Sequence, residues 1–136
     1  MPFWRCFYHV IWATKRRAPL ITPQNEPTLF EVVARKSAEL ECPILGMNAV
    51  SDHIHVAVTI APKVSVAHWV KTMKGATAFA TNTTFPDAPE RFYWQTGYGV
   101  LTFGARNLDT VLAYIAHQKE HHAQGTIQPY LEQMDE

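Results

Sequence analysis

The stretch at residues 3–14, FWRCFYHVIWAT, sets the tightest limit on the fold. It is dense in aromatic and β-branched side chains, which suit a pleated strand. Its apolar residues fall on both alternating faces, whereas a strand with one wet face would show a polar residue at every second position. Such a strand belongs in the middle of a sheet, covered above and below. The basic run Lys15-Arg16-Arg17 and Pro19 end it.

The rest of the chain supplies partners for that strand. Residues 25–41 carry Leu29, Val32, Val33, Ala34 and Leu40 at helical spacing, with charges between them, and Pro43 closes the segment. Residues 44–50 and 53–60 read as two short strands joined by a Ser51-Asp52 turn. Ser65 is placed to cap a helix over residues 66–80 whose apolar face is Val66, Trp69, Val70 and Met73. After a loop with Pro86 and Pro89, residues 93–103 look extended, interrupted by Gly97 and Gly99. A last helix starts at Asn107 or Asp109, runs through Leu112, Ile115 and His122, and stops before Gly125. The tail with Pro129 is expected to be a short turn or irregular.

The order is β-α-β-β-α-β-α. Its first six elements predict an α+β fold, a ferredoxin-like (RRM-like) antiparallel sheet with helices packed on one face. Repeats, low-complexity tracts and linkers are absent from the sequence, so residues 1–136 are expected to form a single domain.

Composition narrows the function classes. Apolar residues at 47% and charged residues at 18% fit a compact globular chain. No apolar stretch approaches the roughly 20 residues needed to span a bilayer. The first residues lack the basic flank and apolar run of a secretory signal, and Cys6 and Cys42 read as reduced thiols. The expected location is the cytoplasm. Net charge is zero, but residues 1–119 hold all 12 basic side chains because the last 17 residues contain only acidic ones. A local phosphate-binding face is therefore permitted and not demanded.

Two clusters carry chemistry. In Asp52-His53-Ile54-His55-Val56-Ala57-Val58, His53 and His55 share one strand face, and Ile54, Val56, Val58 and Ile60 share the other. The aliphatic row suits a helix-covered face, which leaves two imidazoles about 7 Å apart on the opposite one, able to converge on a divalent ion. An isolated His-x-His is also an ordinary pair of hydrogen-bonded histidines. In Tyr114-Ile115-Ala116-His117-Gln118, Tyr114 and Gln118 stand four apart on one helix face. A phenol titrates near pH 10 and needs help to act as a nucleophile. A metal ion that polarises a phosphodiester supplies that help, and the Gln118 amide oxygen is a reasonable third ligand.

The same residues resemble the single-tyrosine HUH transposases, the insertion-sequence-200-like type and its relatives associated with repetitive extragenic palindromes (REP). The resemblance runs through nearly the whole chain. It covers Tyr8-His9-Val10-Ile11-Trp12 with Thr14-Lys15-Arg16-Arg17, Asp52-His53-Ile54-His55-Val56, Lys74-Gly75, Trp94-Gln95-Thr96-Gly97-Tyr98, and Tyr114-Ile115-Ala116-His117-Gln118 with His121-His122. The resemblance implies that His53, His55 and Gln118 hold Mg²⁺ or Mn²⁺. It implies that Tyr114 attacks a phosphate of single-stranded DNA near a hairpin, leaving a 5′-phosphotyrosine and a free 3′-hydroxyl, and that the reverse step joins strands in transposition. It further implies a homodimer with sites completed in trans, or a monomer if the chain is of the REP-associated type.

Around these clusters, Lys15, Arg16 and Arg17 are expected to grip phosphates, with Lys71 and Lys74 as a second contact. Trp94, Tyr98 and Phe103 are candidates either for base stacking or for the core. His9 reads as a structural histidine. Asp52 is placed to orient a ligating imidazole or simply to form the turn. Competing readings are a replication-initiator-like nicking enzyme, a domesticated hairpin-binding protein, and a zinc peptidase using His117, Glu120 and His121.

Overall fold

The computed structural model describes residues 4–125, so the turn expected near Pro129 lies outside the described residues. In chain order the elements are β1 (Phe7–Ala13), α1 (Glu26–Glu39), β2 (Ile44–Val50), β3 (His53–Thr59), α2 (Val66–Thr84), β4 (Gly99–Phe103), α3 (Leu108–Ala116) and α4 (Gln118–Gln124). Short 3-10 turns occupy Lys15–Arg17 and Ala105–Asn107. The strands form one antiparallel sheet in the order β2-β3-β1-β4, the ferredoxin-like arrangement. β1 lies inside the sheet, as its two apolar faces require.

Register explains which side chains meet. Val10 pairs with Val56 and Trp12 with Ile54, so these residues share one face with Val58. Leu29 and Val33 of α1 and Trp69, Val70 and Met73 of α2 close over them in the main core. Trp12 meets Trp69 and Trp94 edge-on, each at 5.8 Å between centroids, the geometry that the ring quadrupoles favour. Ser65 caps α2 by accepting from His68 N at 3.0 Å. This helix continues one turn past the expected end at residue 80, because Asn82 is anchored at both ends of its amide to the backbone of Phe92.

The opposite face is also covered, which the expectation of helices on one face did not include. Val111 and Ile115 of α3 pack on Ala57, with Leu45, Phe103 and Leu112 around them. Burying the two α3 side chains stabilises this layer by roughly 1.5–3 kcal/mol each. Close approach depends on Gly46, where a Cβ would lie 3.1 Å from Leu112 Cδ2. β4 is shorter than the extended run expected over residues 93–103. Gly97 adopts φ 92° and breaks the run, leaving Trp94 in a single bridge to Thr14.

The helix expected to run unbroken to His122 is interrupted. His117 takes φ −104° and ψ 22°, ending α3 and starting α4. Its ring turns back, with Nδ1 donating to Ala113 O at 2.8 Å. α4 ends where expected, with Gly125 in the left-handed region at φ 69°.

Candidate metal centre and tyrosine

β3 presents His53 and His55 on the face that α3 and α4 cover, and both rings are fully buried. Each has its Nδ1 engaged by a neighbour. His53 Nδ1 lies 2.7 Å from Asp52 Oδ1 and donates to that carboxylate. His55 Nδ1 lies 2.8 Å from His9 Nε2, and these two rings stack at 5.0 Å. His9 comes from β1, one pleat away from Ile11, the register partner of His55. With Nδ1 so engaged, Nε2 is the candidate ligating atom of each strand histidine.

α4 adds a third imidazole. His53 Nε2 stands 3.2 Å from His122 Nε2, and candidate ligand atoms of His53, His55 and His122 all lie within 4.8 Å of one another. Two nitrogens bound to one ion at about 2.1 Å with a 90–109° angle between them are roughly 3.0–3.4 Å apart. The His53–His122 pair meets that spacing, and the three imidazoles together form a group that could hold a divalent ion. His122 was not foreseen as a donor, although it stands four residues after Gln118 and so on the same helix face.

Tyr114 meets this cluster from α3. Its ring lies edge-on to His55 at 6.1 Å and is stacked on His121 at 4.7 Å. Tyrosine and histidine pair thus meet within one chain. Gln118 is buried at the start of α4, and its Nε2 donates to Tyr114 O at 3.5 Å. Asn48, the register partner of His55, donates to Ile115 O and Ala116 O at 3.1 Å each and so anchors the end of α3 to the sheet. Lys119 strengthens the same junction through Asn48 Oδ1 at 2.7 Å and Glu26 Oε2 at 3.1 Å.

Asp52 also receives Arg17 Nε at 3.2 Å. Burial pushes its carboxyl up, but the His53 hydrogen bond and the nearby His53 and Arg17 charges outweigh burial and hold it below its ordinary value of 3.8. It is therefore ionised at neutral pH, as an acceptor for a ligating imidazole must be.

Other expected contacts fall differently. Lys15, Arg16, Arg17 and Lys71 are exposed. Lys74 is half-buried, and its ammonium donates to Gln95 O at 2.9 Å and Gly97 O at 2.6 Å. It pins the bend before β4, and burial lowers its pKa from 10.5. Trp94 and Tyr98 pack against the main core and Phe103 against the smaller one. The zinc-peptidase arrangement has no geometric support. His117 and Glu120 are exposed, His121 lies on Tyr114, and among the described residues the histidine cluster with metal-ligand spacing is His53, His55 and His122.

The sheet, with histidines on a central strand and a tyrosine helix across them, places the chain's fold among transposases. A structure from Deinococcus radiodurans R1 assigned as a transposase superposes with TM-score 0.70 at 23% identity, covering 86% of this chain and 93% of the other. A REP-associated tyrosine transposase bound to a REP hairpin gives TM-score 0.66 at 14% identity, covering 90% of this chain and 74% of the other. The family model "Transposase IS200 like" matches residues 2–118, and the chain belongs to that family. Relatives include the transposase for insertion sequence element IS200 of Salmonella typhimurium, 28% identical over 90% of this chain and 82% of its own length. The ISDra2 transposase TnpA of Deinococcus radiodurans is 24% identical over 83% of this chain and 84% of its own length. No helix among the described residues is long and apolar enough to cross a membrane.

Proposed function

We propose that this transposase cuts and rejoins single-stranded DNA through a covalent bond to Tyr114. The observation that carries the proposal is the ring contact between Tyr114 and His55, whose imidazole belongs to a cluster with metal-ligand spacing. His53 and His55 hold a divalent ion, Mg²⁺ or Mn²⁺, with His122 and Gln118 completing the protein's donors. When bound, the ion supplies Lewis-acid polarisation of the scissile phosphate. Asp52 and His9 fix the two strand imidazoles in the Nδ1-engaged orientation. Asn48 and Lys119 keep the tyrosine helix against the sheet.

In the reaction Tyr114 Oη forms a bond to phosphorus as the bond to the 3′ oxygen breaks. The phenolic proton passes to solvent and the departing 3′ oxygen takes one up from solvent, so it leaves as a 3′-hydroxyl and the exchange is proton-neutral overall. The product is a 5′-phosphotyrosine, which keeps the energy of the broken phosphodiester, so attack by another 3′-hydroxyl restores a continuous strand. Contact between Tyr114 and His55 inside one chain supports a site completed without a partner subunit. The substrate is a hairpin-bearing DNA end, a reading supported by the fold shared with a transposase solved on a REP hairpin.

Incubation with Mn²⁺ and 3′-labelled single strands, taken from both flanks of the gene and from synthetic hairpins, tests the proposal. A labelled band at protein-plus-DNA mass is expected, and it disappears with chelator, in Tyr114→Phe and in His55→Ala. An adduct that survives in Tyr114→Phe contradicts it.

A further inference from the structure

Lys15-Arg16-Arg17 meets the segment before β4 at one corner of the molecule. Along residues 92–94 the side chains alternate: Phe92 and Trp94 turn into the core, while Tyr93 faces out and is 48% exposed. Its backbone is fixed, with Lys15 N donating to Tyr93 O at 2.9 Å and Gln95 N to Ala13 O at 3.0 Å on either side. The ring thus projects outward from a fixed backbone.

Two cations flank it. Lys15 Nζ lies 5.4 Å and Arg91 Cζ 5.7 Å from the Tyr93 centroid. With Arg16 and Glu90 they line a cavity of about 350 Å³ beside the ring. Among the described residues, the ion pairs include none with Lys15, Arg16 or Arg91. Glu90 is a single acidic side chain against three cations, so the corner favours an anion. Arg16 and Arg17 also hold left-handed backbone conformations at φ 58° and 56°. Such strain in non-glycine residues tends to mark binding and switch segments.

We propose that this corner receives an unpaired nucleotide of the DNA substrate, its base stacked on Tyr93 and its phosphates held by Lys15, Arg16 and Arg91. The inference rests on the DNA-cutting function proposed above and extends it to residues outside the metal centre. An outward tyrosine offers a face that any base can stack on, and neighbouring cations follow the backbone. Both flanking side chains are long and exposed, so an arriving base displaces them from the ring onto its own phosphates. A weak exposed cation–π contact is exchanged for a base stack and a charge-assisted phosphate contact. Arg17, adjoining this corner, bonds Asp52, and Asp52 bonds His53. That run of contacts links the corner to the metal centre.

The test measures affinity by fluorescence anisotropy for a synthetic DNA hairpin alone and for the same hairpin with a short oligothymidine tail on either end. Single abasic positions are scanned along the tail. Wild type, Tyr93→Phe, Tyr93→Leu and Arg91→Ala are compared after thermal melts confirm the fold. Wild type and Tyr93→Phe should gain affinity from the tail. Tyr93→Leu should lose about tenfold of that gain, and one abasic position should cost wild type the same while costing Tyr93→Leu nothing further. Arg91→Ala should lower the salt slope by about one.

Equal tail binding by wild type and Tyr93→Leu, with hairpin binding intact, overturns this proposal and leaves the proposed function standing. A Tyr93→Leu loss that no abasic position reproduces also overturns the stack. Equal competition by a polyglutamate peptide makes the corner an acidic-peptide surface and overturns it too. No binding of any of these DNAs contradicts both readings.

Discussion

His9 Nε2 lies 2.8 Å from His55 Nδ1, with both rings buried beneath α3. In a buried pair of this kind one nitrogen donates and the other accepts, so the contact holds the His55 ring with Nδ1 toward His9 and Nε2 as the candidate ligating atom. His9 is a positioning residue for His55.

Replacing His9 by Leu should lower Mn²⁺ affinity about 10–100-fold, the usual cost of losing such a support. His9→Gln, which can still hydrogen-bond, should recover part of it. Val10→Ala, buried on the other face of β1, should lower thermal stability without changing metal affinity. Titration calorimetry with Mn²⁺ separates these outcomes, and unchanged affinity in His9→Leu would count against the positioning role.

Asn48 ties α3 to the sheet through two carbonyls at its C-terminus. Asn48→Ala leaves both without that donor and should destabilise the fold by about 1–3 kcal/mol. Hydrogen exchange should show faster opening in α3 and α4, with β1 and β3 amides slowed as before relative to those helices. Uniform loss of protection across all elements would contradict a local anchoring role.

Gly46 lets Leu112 approach its backbone. Gly46→Val should cost about 1–3 kcal/mol through overpacking. In the Leu112→Ala background the same substitution should cost clearly less, since the opposing methyl groups are gone. Denaturant unfolding of the four variants in the cycle measures the coupling, and strict additivity would place the conflict elsewhere.

Lys74 has a pKa lowered from 10.5 by burial. The folded protein therefore gives up this proton at lower pH than the unfolded chain does. Stability attributable to the group rises as pH climbs through the folded value toward 10.5, because the unfolded state binds more protons in that window. Wild-type stability should gain on Lys74→Met between neutral and strongly alkaline pH. A difference that shrinks over the same range would contradict the sign.

Much of the fold was legible because local period fixes it. The two-faced apolar run around Val10 and Trp12 demanded an internal strand, and parity put His53 and His55 on one face and Ile54 and Val56 on the other. The joining of sites across the chain was not legible. That His9 touches His55 depends on the β1–β3 register, which neither strand states alone. Lys74 reads in the sequence as a phosphate contact beside Lys71, since nothing in α2 tells that residues 95–97 fold over it. Tyr93 was passed over for Trp94, Tyr98 and Phe103 because an aromatic-rich stretch hides which parity faces out. The expected continuous helix placed Tyr114 and Gln118 on one face, while the break at His117 and the closing of α4 that bring His122 to His53 are tertiary.

The central claim is that Tyr114 becomes covalently joined to DNA. The most direct measurement is mass spectrometry of the protein after reaction with single-stranded DNA and Mn²⁺, nuclease trimming and proteolysis. The result predicted is a peptide containing Tyr114 heavier by a nucleotide 5′-phosphate, formed in wild type and missing from His55→Ala. DNA cut under the same conditions with Tyr114 unmodified, or with the nucleotide on another residue, would contradict it.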